Sequence, residues 1–135
     1  MDGSKILIFT QTKRGADQLS DMLSSNGTSA MSIHGDKTQN VFVDLKTKYL
    51  IFKKQRDYIM RQFKSGRVKI LVATDLAARG LDVADIRYVI NYDFPMHVED
   101  YIHRVGRTGR AGKDGDSYTF FTREDYKHAD KLINV

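Results

Sequence analysis

Three arginines, Arg104, Arg107 and Arg110, recur every third residue in the stretch HRVGRTGRAG, with Gly106 and Gly109 between them. Three-residue spacing predicts guanidinium groups on one side of a helix or tight turn. Guanidinium forks match phosphate oxygens bidentately, and the glycines let a large planar anion or another backbone approach. The competing reading is a solvated basic turn paired to carboxylates. A second candidate is VATDLAARGLDV, residues 72–83, where an apolar run ends in Thr74 and Asp75. A short turn of helix is then expected to end at Arg79 and Gly80, with Asp82 just beyond. A threonine and backbone N–H groups at a strand-to-helix junction can hold a phosphate. An aspartate a few residues on can accept a hydrogen bond from a ribose hydroxyl. Taken singly, each of these residues is equally well explained by a helix cap and a glycine stop.

Short apolar runs alternate with amphipathic stretches and must supply the frame. Residues 5–12, 28–35, 69–75, 87–94 and 116–122 read as strands. Thr12 is placed to cap a helix running to Asn26, with Ala16, Leu19 and Leu23 on one face and Gly27 as its stop. A helix over 55–66 would turn Ile59, Met60 and Phe63 inward and end at Gly66. Further helices are expected at 98–105 and 123–133. This alternation predicts an α/β fold whose mostly parallel central sheet carries helices on both faces. Function in such sheets collects at the carboxyl ends of the strands, here Thr10–Thr12, His34–Asp36, Thr74–Asp75 and Asn91–Phe94.

The chain's 135 residues suit one domain, and 41% hydrophobic content suffices for one core. A net charge of +5 favours a polyanionic partner. Cysteine is absent, which removes disulfide and thiolate chemistry. The four histidines (34, 97, 103 and 128) lack metal-ligand spacing, so no metal site is expected. No apolar run is long enough to span a membrane, and no basic-then-apolar leader precedes the first strand.

Together these segments resemble the second RecA-like domain of the DEAD-box RNA helicases, over nearly the whole chain. ILIFTQT is similar to the family's motif IV, HGD with the following Gln-x-x-Arg to motif IVa, ATDLAARGLDV to motif V, VINYD to motif Va and HRVGRTGR to motif VI. The resemblance implies a RecA-like three-layer sandwich and a role in ATP-dependent unwinding or remodelling of RNA duplexes and RNA–protein complexes. It implies that Arg107 and Arg110 reach the γ-phosphate of ATP, Arg110 as an arginine finger with Arg107 beside it. His103 would couple to the acidic motif of an N-terminal RecA-like domain. Asp82 would hold the ribose, and Arg79, followed by Gly80, would sit near the γ-phosphate and attacking water. Gly35, Arg56 and Thr74 would contact the backbone of single-stranded or duplex RNA. Such contacts are independent of sequence and sensitive to salt. The chain carries no G-x-x-x-x-G-K-[ST] and no DEAD string. It is therefore expected to be one half of an enzyme, with Mg2+ held mainly by the other half and negligible turnover alone. The family implies an intracellular protein of nucleus or cytoplasm. The alternative is a catalytically silent RNA-binding or scaffold module of the same fold.

One stretch departs from the family pattern. Gln39 and Arg56 stand seventeen positions apart where the family has three. Removing Val41–Lys54 restores the spacing, so an insertion of fourteen residues, 41–54, is the economical reading. VFVDL and KYLIF can form a hairpin, although Lys46-Thr47 is a poor two-residue connection. Phe42, Leu45, Tyr49 and Phe52 instead follow a helical 3-4-3 spacing, and the helix is the preferred reading. A helical insert would lengthen the following helix by about 21 Å and nearly keep the phase of Arg56. Its apolar residues suggest self-association. Valine codons begin GT and lysine can be AAG, so the same forty-two nucleotides can also be an unspliced in-frame intron.

Overall fold

The computed structural model describes residues 2–35 and 44–135. Five strands, β1 (Lys5–Phe9), β2 (Ala30–Ile33), β3 (Ile70–Ala73), β4 (Ile86–Asn91) and β5 (Asp116–Thr119), form one sheet in the order β2-β3-β1-β4-β5. Every pairing is parallel, so the expected sheet is parallel throughout. Alternate residues of β1 point to opposite faces and seed two cores. Leu7 and Phe9 pack with Ile59 and Phe63 of helix α2 (Leu45–Lys64) and with Ala77 and Ala78 of helix α3 (Asp75–Ala78). Ile8 faces the other way, onto Ala16 and Leu19 of helix α1 (Lys13–Ser25). Helices on both faces of a parallel sheet make the three-layer arrangement expected from the alternating pattern.

Local chemistry fixes the boundaries. Thr12 caps α1 by accepting from the Gly15 amide at 3.0 Å, and the first strand ends at Phe9, where the apolar run gives way to Thr10-Gln11-Thr12. Gly27, at φ +82°, closes the same helix, and the Thr28 amide returns to the Leu23 carbonyl at 3.1 Å. Helix α4 spans Val98–Val105 as expected. The single helix expected over 123–133 is instead a 3-10 turn, Arg123–His128, followed by α5, Ala129–Ile133. A capping box between Thr122 and Asp125 winds the entry tightly, and no residue of either piece is buried.

Helix α2 begins ten residues earlier than its core-facing pattern requires. Asp44 caps it, accepting from the Thr47 amide at 2.8 Å, and this donor holds the Asp44 carboxyl below its ordinary range. Residues 45–54 are therefore helical and the hairpin reading fails for them. They add about 15 Å of helix. The start of the proposed insert, residues 41–43 including Phe42, lies outside the described residues. The C-terminal end of α2 sits at the amino edge of the sheet, where the Lys5 ammonium donates to the Lys64 carbonyl at 2.7 Å. Arg56 reaches the opposite edge, donating to the carbonyls of Ala77 and Arg79. The stretch from Arg56 to Lys64 thus covers the sheet's height, and residues 45–54 project past its carboxyl edge. Burial follows: Phe63 is 0% exposed, whereas Leu45 and Tyr49, in line with it at spacings of three and four, are 86% and 62% exposed. Among the described residues no helix is long and apolar enough to cross a membrane.

Candidate functional site

The carboxyl edge is organised around a buried arginine. Arg104, on the last turn of α4, is 1% exposed. Its Nε and Nη2 donate to the two carboxylate oxygens of Asp75, each at 2.7 Å, and Nη1 donates to the Asp93 carbonyl at 2.6 Å. Nη1 also lies 3.4 Å from Asn91 Oδ1, and the guanidinium sits over the Phe9 ring, 5.0 Å from its centroid. The expectation that Arg104, Arg107 and Arg110 share one side is therefore corrected. Arg104 turns inward because α4 packs over the strand ends, where an anion and two oxygens already wait. It joins the exits of β1, β3 and β4 and offers little to a ligand. Asn91 extends this network to β5 by donating from Nδ2 to Thr119 Oγ1 at 3.0 Å, and Asp93 accepts the Gln11 amide at 2.8 Å.

Beyond Arg104 the chain opens. Arg79, Gly80, His103 and Arg107 line one pocket of about 490 Å³, together with Asp75 and Asp100. Arg79 ends α3, and Gly80, at φ +68°, lets the backbone turn sharply into the segment that carries Asp82. Arg107 is half-buried and donates to the His103 carbonyl and, through Nη1, to the Leu81 carbonyl, both at 3.2 Å. His103 is exposed, with Nδ1 at 4.0 Å from Asp100 Oδ1. Arg110 and Asp82 do not line this pocket. They face each other beside it, Nη1 to Oδ1 at 3.9 Å, and Asp82 is 87% exposed. Arg110 Nη1 is shielded from water yet has no hydrogen-bond partner among the described residues. On a side chain that is 39% exposed, this nitrogen is a donor left available to an anion's oxygen.

The turn bearing Arg110 is held rigidly. Thr108 Oγ1 lies 2.6 Å from the Ile86 carbonyl and 2.9 Å from that of Arg87, tying the turn to the start of β4. A Cβ at Gly115 would collide with Thr108 Oγ1 and the Gly109 amide, so only glycine lets the two sides of this loop close.

The three residues expected at RNA are less uniform. Gly35 is exposed in the turn after β2, and Thr74 is buried at the N-terminus of α3. His34, just before Gly35, is buried, and its Nε2 lies 2.8 Å from Asp17 Oδ2 of α1, which fixes the exit of β2. Arg56 stands on α2, with two donors turned to the carbonyls of Ala77 and Arg79, so it braces the segment after Thr74. Asp36–Asn40, including Gln39, lie outside the described residues. Sequence reasoning placed Asp75, Asn91 and Asp93 at functional strand ends but missed that Arg104 ties them together, and it missed Thr108 and Gly115. An available signal was Asp75: a carboxylate at a strand exit, with no basic neighbour in sequence before Arg79, predicts a distant partner. No three His, Cys, Asp or Glu residues gather in a metal-holding group among the described residues.

Comparison with known proteins agrees with this geometry. Residues 1–112 match the family described as helicase conserved C-terminal domain. The chain is 53% identical over 135 residues to DEAD-box ATP-dependent RNA helicase 30 of Arabidopsis thaliana, covering 100% of this chain and 20% of that protein. The chain spans 20% and 24% of the length of two such Arabidopsis relatives, and as little as 11% of another. A DEAD box protein from Methanococcus jannaschii superposes with a TM-score of 0.78 at 39% identity, over 97% of this chain and 32% of that one. The S. cerevisiae Dbp5 bound to RNA and ADP BeF3 superposes with a TM-score of 0.75 at 28% identity, over 98% and 32% respectively. The motif-bearing edge, the parallel five-stranded sheet and these matches agree: the chain belongs to the helicase conserved C-terminal domain family, as a second RecA-like domain of the DEAD-box type.

Proposed function

We propose that this domain is the C-terminal half of an ATP-dependent RNA helicase. It supplies arginines to ATP and contacts to the RNA backbone, while an N-terminal RecA-like domain supplies the phosphate-cradling loop. The observation that carries this is Arg110 Nη1, without a hydrogen-bond partner among the described residues and facing exposed Asp82, in the same motif as His103 and Arg107, which line the pocket with Arg79 and Gly80. An anion from outside the domain satisfies that donor. The nucleotide fits the donor set: Arg110 and Arg107 as guanidinium ligands of the γ-phosphate, Asp82 as acceptor from the ribose, Arg79 and Gly80 beside the phosphate and attacking water. His103, exposed on α4, couples to the acidic motif of the partner domain, which also holds most of the Mg2+ coordination.

ATP gains contacts from both halves only when they close. Guanidinium groups held on a rigid turn then stabilise charge developing in phosphoryl transfer. RNA lies along the same edge, at Gly35, Thr74 and the segment braced by Arg56. A closed pair that bends one strand cannot hold a straight duplex, so a few base pairs separate. Loss of the γ-phosphate removes what the arginines grip, and the halves part again.

The test is ATP turnover with and without RNA. The 135-residue chain alone is expected to hydrolyse ATP negligibly, and the longer protein carrying it to hydrolyse ATP faster when RNA is added. Robust turnover by the 135-residue chain contradicts the division of labour. An RNA-binding longer protein without turnover favours the silent scaffold reading.

A further inference from the structure

The projecting start of α2 has no role in the scheme above. Residues 45–56 contain Lys46, Lys48, Lys53, Lys54 and Arg56 and no acidic residue. The whole chain's net charge is +5, so these twelve residues account for all of it and the rest of the chain is balanced. Lys46, Tyr49, Lys53 and Arg56 follow a 3-4-3 spacing, which places them along one side of the helix over about 15 Å. Lys46, Tyr49 and Lys53 are exposed. Arg56 roots the stripe at the carboxyl edge through the carbonyls of Ala77 and Arg79, three and five residues after Thr74.

We propose that the stripe Lys46–Tyr49–Lys53, with Lys54 beside it, is an additional, sequence-independent contact for an RNA strand, continuous with the edge at Gly35 and Thr74. This rests on the reading that the domain binds RNA. Lysines along a helix neutralise successive phosphates, and an exposed tyrosine offers a face on which a base stacks. The apolar residues of the same segment, Leu45 and Leu50, suggest a second copy of the chain as the competing occupant. A two-fold contact through this helix would bring two wholly basic segments together, and like charges juxtaposed at an interface cost affinity. An RNA strand meets the same charge with complementarity.

The experiment is fluorescence anisotropy of a labelled single-stranded oligouridine with the 135-residue chain across a salt series. It compares the natural sequence, a Lys46→Ala/Lys53→Ala/Lys54→Ala variant and a variant lacking 41–54. All three lysines are exposed, so the triple variant's melting temperature is expected to hold. The slope of log affinity against log salt is expected to fall by about 2 in magnitude for the triple variant, at roughly 0.7 for each phosphate no longer neutralised. Affinity is expected to fall roughly tenfold or more, with a similar drop in the deletion variant. Unchanged slope and affinity in the triple variant, with binding by the natural sequence, overturn the stripe and leave the RNA reading intact. No RNA binding by any of them overturns both. A mass by light scattering that doubles in a manner dependent on Leu45 and Leu50, or capture by anionic lipid vesicles in place of RNA, likewise overturns the proposal.

Discussion

Arg104 and Arg110 stand six residues apart in one motif and meet opposite fates. Arg104 is buried, with its charge matched by Asp75 and its donors filled by Asp75 and Asp93. Arg110 is half-exposed, with one shielded donor left empty and a loosely placed carboxylate at 3.9 Å. A saturated guanidinium is a structural tie, and one with an unpartnered nitrogen still has a donor to offer. Identical side chains at regular spacing therefore end in two different environments, set by what packs around them.

The largest expected effect breaks the saturated side. Arg104→Leu strands the Asp75 carboxylate and leaves the Asp93 carbonyl unmatched, at a cost of about 3 kcal/mol, the lower end for a broken buried pair because Asp75 is partly exposed. Thermal melting of the chain checks this, and an unchanged melting temperature breaks the comparison at its structural end. Next is Gly115→Ala, whose Cβ cannot fit against Thr108 and Gly109. It is expected to cost about 1–3 kcal/mol and to shift the turn that carries Arg110, so nucleotide-dependent activity falls while Arg110 itself is unaltered.

A smaller effect lies at the opposite edge of the sheet. The Lys5 ammonium, 2.7 Å from Asp85, holds that carboxyl below its ordinary value of 3.8. A depressed carboxylate contributes stability above its unfolded pKa and loses it as pH falls through the folded one. An acid titration of stability is expected to show this contribution fading below about pH 4, and Asp85→Asn to remove it. Because Asp85 is half-exposed, the amount is at most about 1 kcal/mol. The smallest effect belongs to the projecting start of α2, where Tyr49→Ser is expected to leave melting unchanged. A fall of several degrees would mean that this stretch is packed rather than free. Sequencing mature transcripts across codons 38–58 sharpens the same point: retained nucleotides make 41–54 an insertion, and their absence from every message makes it an intron.

Much of the frame was legible in the sequence because it is written locally. Thr12 and Gly27 bound α1, and the apolar run after Lys5 is a largely buried strand. Arg79, Gly80, His103 and Arg107 gather in one pocket as their motifs imply. The fate of Arg104 was not legible, because its partners at 75, 91 and 93 are distant in sequence and only the docking of α4 brings them together. Arg56 is a similar case, since nothing near it in sequence announces the carbonyls of Ala77 and Arg79. The start of α2 was half legible. The 3-4-3 apolar spacing pointed to the helix, and Asp44 three residues before Thr47 is a readable cap, but exposure depends on where the sheet ends.

The central claim is that Arg110 is kept open for the phosphate of ATP. Its most direct test is RNA-stimulated ATP hydrolysis by the longer protein carrying Arg110→Ala, with thermal melting of the domain measured alongside. The predicted result is a loss of turnover on the order of 10³-fold or more, typical for removal of an arginine finger, with the melting temperature unchanged. Full activity in that variant, or a collapse of stability matching that of Arg104→Leu, would contradict it.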